Sequence, residues 1–190
     1  MSIIEDNLFL MGASGMVGKQ MVFRNCKGKT ILAKPPRRTK QQSNAQQEHN
    51  SRFKGAVAYA KAAIADKEIR KGYNEKAAQS VRCLSAFNVA ISDYMHSPVI
   101  RDIDLSYYRG QLCDVIKISA TDDFQVASVM IEILRDDGSL LEVGMAEYAI
   151  SNPDEWVYYA QSSVASVSGY RVNVIVTDLP GNVTEKRVDL

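Results

Sequence analysis

Three stretches of the chain carry residue types that could do chemistry. The first is Met11-Gly12-Ala13-Ser14-Gly15-Met16-Val17-Gly18. Glycines at this spacing, between a strand and a helix, let a dinucleotide's pyrophosphate approach a helix N-terminus. Leu8–Met11 could supply the strand, and Arg37 and Arg38 stand where a 2′-phosphate contact would. The context argues against it. The segment before Gly28 is short for a crossover helix, no further β-α alternation follows, and no Tyr-x-x-x-Lys pair exists for hydride chemistry. The expected role of these glycines is a turn or arm in which backbones pass closely. Gly28-Lys29-Thr30 resembles the end of a phosphate-binding loop, but the required earlier glycine is Phe23.

The second stretch is acidic. Asp122-Asp123, Asp178 and Asn182 could offer oxygens to a calcium ion, yet Asp and Asn also recur in turns for backbone reasons. The turn role is the expectation, with no resident metal or cofactor. His49 and His96 are the only histidines, and neither belongs to a metal-ligand pair or a Ser-His-Asp set. Cys26, Cys83 and Cys113 form no CxxC pair and read as reduced thiols. Trp156, Tyr158 and Tyr159 read as core and edge aromatics rather than a sugar platform.

The third stretch is basic and carries the most weight. From Val17 to Ala62 there are 11 Lys+Arg and a single acid, Glu48. Residues 1–96 hold 16 basic against 7 acidic residues, a net +9; residues 97–190 hold 7 against 15, a net −8. A chain so polarised can meet a polyanion or dock head to tail on its own copies. The candidate contact residues are Arg24, Lys27, Lys29, Lys34, Arg37, Arg38, Lys40, Arg52 and Lys54. Only Phe23 and Phe53 interleave as aromatics, which disfavours base stacking.

The elements that must position these residues change character along the chain. Gln20–Asn25 and Thr30–Lys34 read as a hairpin turning at Lys27-Gly28, stopped by Pro35-Pro36. Ser43 and Gln46 form a capping box, and Phe53, Val57, Ala60 and Ile64 make one helical stripe. Further helices are expected over Lys67–Gln79, with Ile69, Tyr73 and Ala77 on one side, and over Ser85–Tyr94. Their apolar faces are narrow. Beyond Pro98 the period becomes two: Ile116/Ile118/Ala120, Val129/Ile131/Ile133, Trp156/Tyr158/Ala160 and Val172/Val174/Val176 each alternate inward. Turns at Asp136-Asp137-Gly138-Ser139 and Asp178–Asn182 separate them. Six or seven short strands are expected here, as in an immunoglobulin-like sandwich.

Two resemblances follow. The run from Ala120 to Asn182 (ATDDFQVASVMIEILRDDG, then Trp156, then YRVNVIVTDLPGN) resembles bacterial immunoglobulin-like repeats, whose last strand often carries D-x-x-G-N. The likeness implies a fold, not an activity. The N-terminal half resembles an uncharacterised protein family of Bacteroidetes-type bacteria, through Gly15–Gly18, Gly28-Lys29-Thr30, Pro35–Lys40, Gln46-Gln47 and Ser85-Ala86-Phe87-Asn88. It implies no chemistry.

The expected fold is therefore α+β: an arm with a β-hairpin and basic linker (1–42), a helical segment (43–97) and an immunoglobulin-like β-sandwich (98–190). The expected function is a non-enzymatic structural subunit of a homopolymeric assembly, such as a filament, phage virion or phage-like particle. Its arm would contact a neighbour, for instance by adding a strand to a sheet edge. The alternative is a nucleic-acid-binding or adhesion module. No apolar run is long enough to cross a membrane. The N-terminus has acids but no Lys or Arg before its apolar stretch, unlike a signal peptide. The expectation is synthesis in the cytoplasm, with release, if any, as part of a particle.

Overall fold

The computed structural model describes every residue except 1, 5–8, 11, 27–28, 36–41, 81–83, 150–151 and 153, and gives only the backbone of 2–4 and 26. The hairpin turn at Lys27-Gly28, the linker residues Arg37, Arg38 and Lys40, and Cys83 lie outside the described residues.

The described chain is α+β, with three helices and three antiparallel sheets. Four N-terminal strands come first: β1 (Ser2–Ile4), β2 (Gly15–Val17), β3 (Met21–Cys26) and β4 (Lys29–Ala33), in the order β1-β4-β3-β2. The glycine-rich segment is thus a turn and an edge strand, not a strand leading into a helix. Gly12, Gly15 and Gly18 all take positive φ, which explains their residue type.

Helices α1 (Asn44–Ala65), α2 (Lys67–Gln79) and α3 (Ala86–Met95) follow. The expected capping box opens α1: Gln46 N–H donates to Ser43 Oγ, and Ser43 N–H donates to Gln46 Oε1 at 3.0 Å. Asp66 ends α1 and caps α2, accepting from Glu68 and Ile69 N–H. The buried face of α1 corrects the expected stripe. Ala56, Ala60 and Ala63 are buried, while Phe53 is exposed. The seam rotates onto small residues because they let α1 approach α3 closely. Gly55 completes it: a Cβ there would stand 2.8 Å from the Tyr94 hydroxyl.

Eight strands form the C-terminal part, more than the six or seven expected: β5 (Val99–Asp104), β6 (Val115–Thr121), β7 (Val126–Leu134), β8 (Leu140–Met145), β9 (Glu147–Tyr148), β10 (Glu155–Tyr159), β11 (Arg171–Asp178) and β12 (Val183–Asp189). The extra strand arises because 140–149 is not one return strand. Ala146 interrupts it, and the chain leaves β8, paired to β7, for β9, paired to β10. The sheets run β5-β6-β10-β9 and β12-β11-β7-β8. Their inward residues meet in one core containing Ile116, Ile118, Val129, Ile131, Tyr158 and Val174. The four inward sets expected from alternation are all buried. Within this sandwich-like core, Glu142 accepts from the Tyr158 hydroxyl at 3.2 Å and from Gln161 N–H. Burial pushes the Tyr158 hydroxyl up to about 12.

Candidate functional site

Two features stand out: a polar junction that joins helices to sandwich, and an arm that rests on neither.

The junction begins with Asp93, fully buried on α3. Tyr73 on α2 donates its hydroxyl to Asp93 Oδ2 at 2.5 Å, and the Tyr59 hydroxyl lies 2.9 Å from that of Tyr73. Burial is the main force that pushes the Asp93 carboxyl up to about 8; the Tyr73 bond opposes it, and Asp122 and Asp178 reinforce it. Asp93 Oδ1 and Asp122 Oδ1 are both buried with no other partner among the described residues. With its carboxyl held at about 8, Asp93 is mostly neutral at pH 7. Burial also raises Asp178, Tyr59 and Tyr73 above their usual ranges.

The same acids shape the turns that meet the helices. Asp122 Oδ2 accepts from Phe124 and Gln125 N–H, which sets the Phe124 ring on Tyr73 at 4.2 Å between centroids. Gly72 makes room for that ring, since a Cβ would lie 2.9 Å from its Cζ. Asp178 Oδ1 accepts from Gly181 and Asn182 N–H. The Asn182 amide then donates to the carbonyls of Tyr94 and His96 at 3.2 and 3.1 Å. These carbonyls belong to the end of α3, where helical partners run out. His96 Nδ1 also lies 2.7 Å from Asp123 Oδ2. Asp122, Asp123, Asp178 and Asn182 therefore serve as turn caps and helix anchors. Among the described residues, no group of three or more His, Cys, Asp or Glu is placed to hold a metal ion. The buried bonds of the junction tie α2 and α3 to the sandwich turns like a latch, while its edge is open: Asp122 lines a cavity of about 560 Å³ with Lys76, Phe124 and Trp156.

Sequence reasoning missed this latch. Asp122, Asp178 and Asn182 were legible as turn formers, but Asp93 and Tyr73 are twenty residues apart on different helices. The one available signal was the single acid on α3, Asp93, among mostly apolar residues.

The arm is built differently. Among the described residues, its sheet makes no substantial packing on a helix or on a sandwich strand. Phe23 and Thr30 are buried, with Gly12 N–H donating to Thr30 Oγ1 at 3.1 Å. By register, Val17, Met21, Phe23 and Leu32 share that face. The other face carries Met16, Val22, Ile31 and Ala33, flanked by Arg24 and Lys29. Met16 is 58% exposed. Of the nine basic candidates, Arg24, Lys29 and Lys34 are exposed on or beside this sheet. Arg52 and Lys54 are exposed on α1, whose first three turns touch nothing that buries them. That projecting stem is roughly 16 Å long. The structure thus brings the described basic residues onto one arm and its stem. Among the described residues, no helix is long and apolar enough to cross a membrane. Cys113 is an exposed free thiol.

No family model and no curated protein matches the chain. Among solved structures, the crystal structure of CopC from Methylosinus trichosporium OB3b is similar to 48% of this chain and 88% of that one, at 24% identity and a TM-score of 0.36. A superposition that loose carries no argument about fold or function.

Proposed function

We propose that this protein is a non-enzymatic structural subunit of a homopolymeric assembly, with an immunoglobulin-like sandwich as its rigid body and residues 1–42 as the arm that grips a neighbour. One observation carries the reading. Among the described residues, the arm sheet is a single layer with apolar residues on both faces, and it packs substantially on no helix or sandwich strand. A lone sheet cannot bury its own apolar faces, so it needs a second layer from elsewhere. The charge split supports a copy of the same chain as that layer, because the arm is basic and the sandwich acidic. An arm of one copy on the body of the next is a heterologous contact, which propagates unless its rotation closes.

The test is light scattering coupled to size exclusion at 50 and 500 mM salt, with negative-stain images of the same fractions. Regular particles that dissolve at high salt are the expected result. A 21.1 kDa monomer in both buffers overturns the proposal.

A second reading rests on the exposed Arg24, Lys34, Arg52 and Lys54, which could neutralise phosphates without reading sequence. Retention on random duplex DNA at 50 mM salt, lost by 200 mM, would favour it over self-assembly.

A further inference from the structure

The outer face of the β12-β11-β7-β8 sheet is not the polar surface expected of an antiparallel sheet. Register places Met145, Met130 and Ile175 in one row across β8, β7 and β11. Val143 on β8 and Val183 on β12 lie on the same side, as does Leu134 opposite Leu140. Met145 is 55% exposed and Val143 47%, and Leu140 and Val183 are as open. A contiguous apolar stripe on a solvent-facing sheet marks an interaction surface. Acids border it. Glu132 pairs across from Val143, and Glu185 across from Ile175. Asp136 and Asp137 stand exposed at the hairpin beyond β7.

From this pattern we infer that the outer face of the β12-β11-β7-β8 sheet is the acceptor for the arm of a second copy. The arm face carrying Met16, Val22, Ile31 and Ala33 would lie on Met130, Val143, Met145 and Ile175. The inference rests on the assembly proposal above and names its missing half. The two faces match in kind. Each is an apolar stripe on an antiparallel sheet, and the charges beside them are opposite: Arg24 and Lys29 on the arm, Glu132 and Glu185 on the sandwich. That arm face carries the exposed Met16, whereas on the other side Phe23 and Thr30 are already buried and Val17 and Met21 stay open. Stacking the sheets face to face gives the arm the second layer that it lacks and covers the exposed stripe of the sandwich.

The experiment places a benzoylphenylalanine photocrosslinker at position 16 in the full chain. Isotopically heavy and light copies are mixed, irradiated and mapped by mass spectrometry. Heavy-to-light crosslinks ending within β7, β8 or β11 are expected. Crosslinks between copies that end elsewhere, or only within one copy, overturn this docking face. As a second measurement, Val143→Glu changes a side chain that points to solvent and leaves the core intact. It should raise the critical concentration for assembly at least tenfold. An unchanged value overturns the docking face while the arm reading stands. If the unmodified chain remains monomeric, both fall.

Discussion

Along β11, Val172, Val174 and Val176 are sealed from solvent, and the opposite sheet supplies Ile116, Ile118 and Tyr158 to the same core. Along β3 Phe23 is buried, and among the described residues no second layer faces it. Both segments are short antiparallel strands with apolar side chains. The difference lies in what faces them. The body closes on itself twice, through the sandwich core and through a helical cluster around Tyr73, Val89 and five alanines. Among the described residues, the arm sheet meets no facing layer of its own chain. Apolar content thus does not make a core by itself; a facing layer does.

The comparison breaks most visibly if the arm is removed. A chain lacking residues 2–42 should unfold cooperatively with a melting temperature close to that of the full chain, yet form no particles. Calorimetry and light scattering check the two halves of that statement. Particles from the truncated chain would mean that the body, not the arm, assembles.

Within the body, Ile131→Ala should cost about 2–5 kcal/mol, because it empties a fully buried site between two sheets. The equivalent cut in the arm, Met16→Ala, should change monomer stability by less than about 0.5 kcal/mol. Urea titration of both variants at a concentration below assembly separates the two cases.

Tight approach in the body gives the next effect. Gly144→Ala would bring a Cβ to 2.6 Å from the buried Tyr158 ring. A loss of about 1–3 kcal/mol follows from overpacking, measured by the same titration. The arm glycine Gly12 takes positive φ but has open space around it, so Gly12→Ala should cost only the backbone strain, about 1–2 kcal/mol.

The latch predicts a pH dependence confined to the body. The Asp93 carboxyl is held at about 8 in the fold, against about 3.9 in an unfolded chain. Between those values the folded state binds the extra proton, so stability falls as pH rises. The contribution of the neutral acid is complete below pH 4 and is lost by the time pH passes 8. The slope is about 1.4 kcal/mol per pH unit at most. Asp93→Asn keeps the shape without the titration. Relative to wild type, it should flatten the stability profile between pH 5 and 8. An identical slope in both proteins would show that Asp93 does not hold the proton.

Much of the fold was legible in the chain itself. Alternation named the four inward sets of the sandwich, and the capping box and Lys67–Gln79 gave the start of α1 and the whole of α2. Those signals are local, written in spacing of two or of three and four residues. The stripe of α1 was read one step out of place. Spacing favours the larger side chains, whereas the approach of α3 selected Ala56, Ala60 and Ala63. The crossing at Ala146 was hidden as well, because a strand that changes sheets keeps its alternation.

The sequence alone determined the charge split, the glycines that need positive φ and the residues facing the sandwich core, since each follows from composition or from local backbone geometry. Tertiary structure alone decided that Asp93 is buried against the Tyr73 hydroxyl, that Asn182 holds the end of α3, and that Met130, Met145 and Ile175 line up across three strands. Those relations depend on which distant segments become neighbours, and no local period records that.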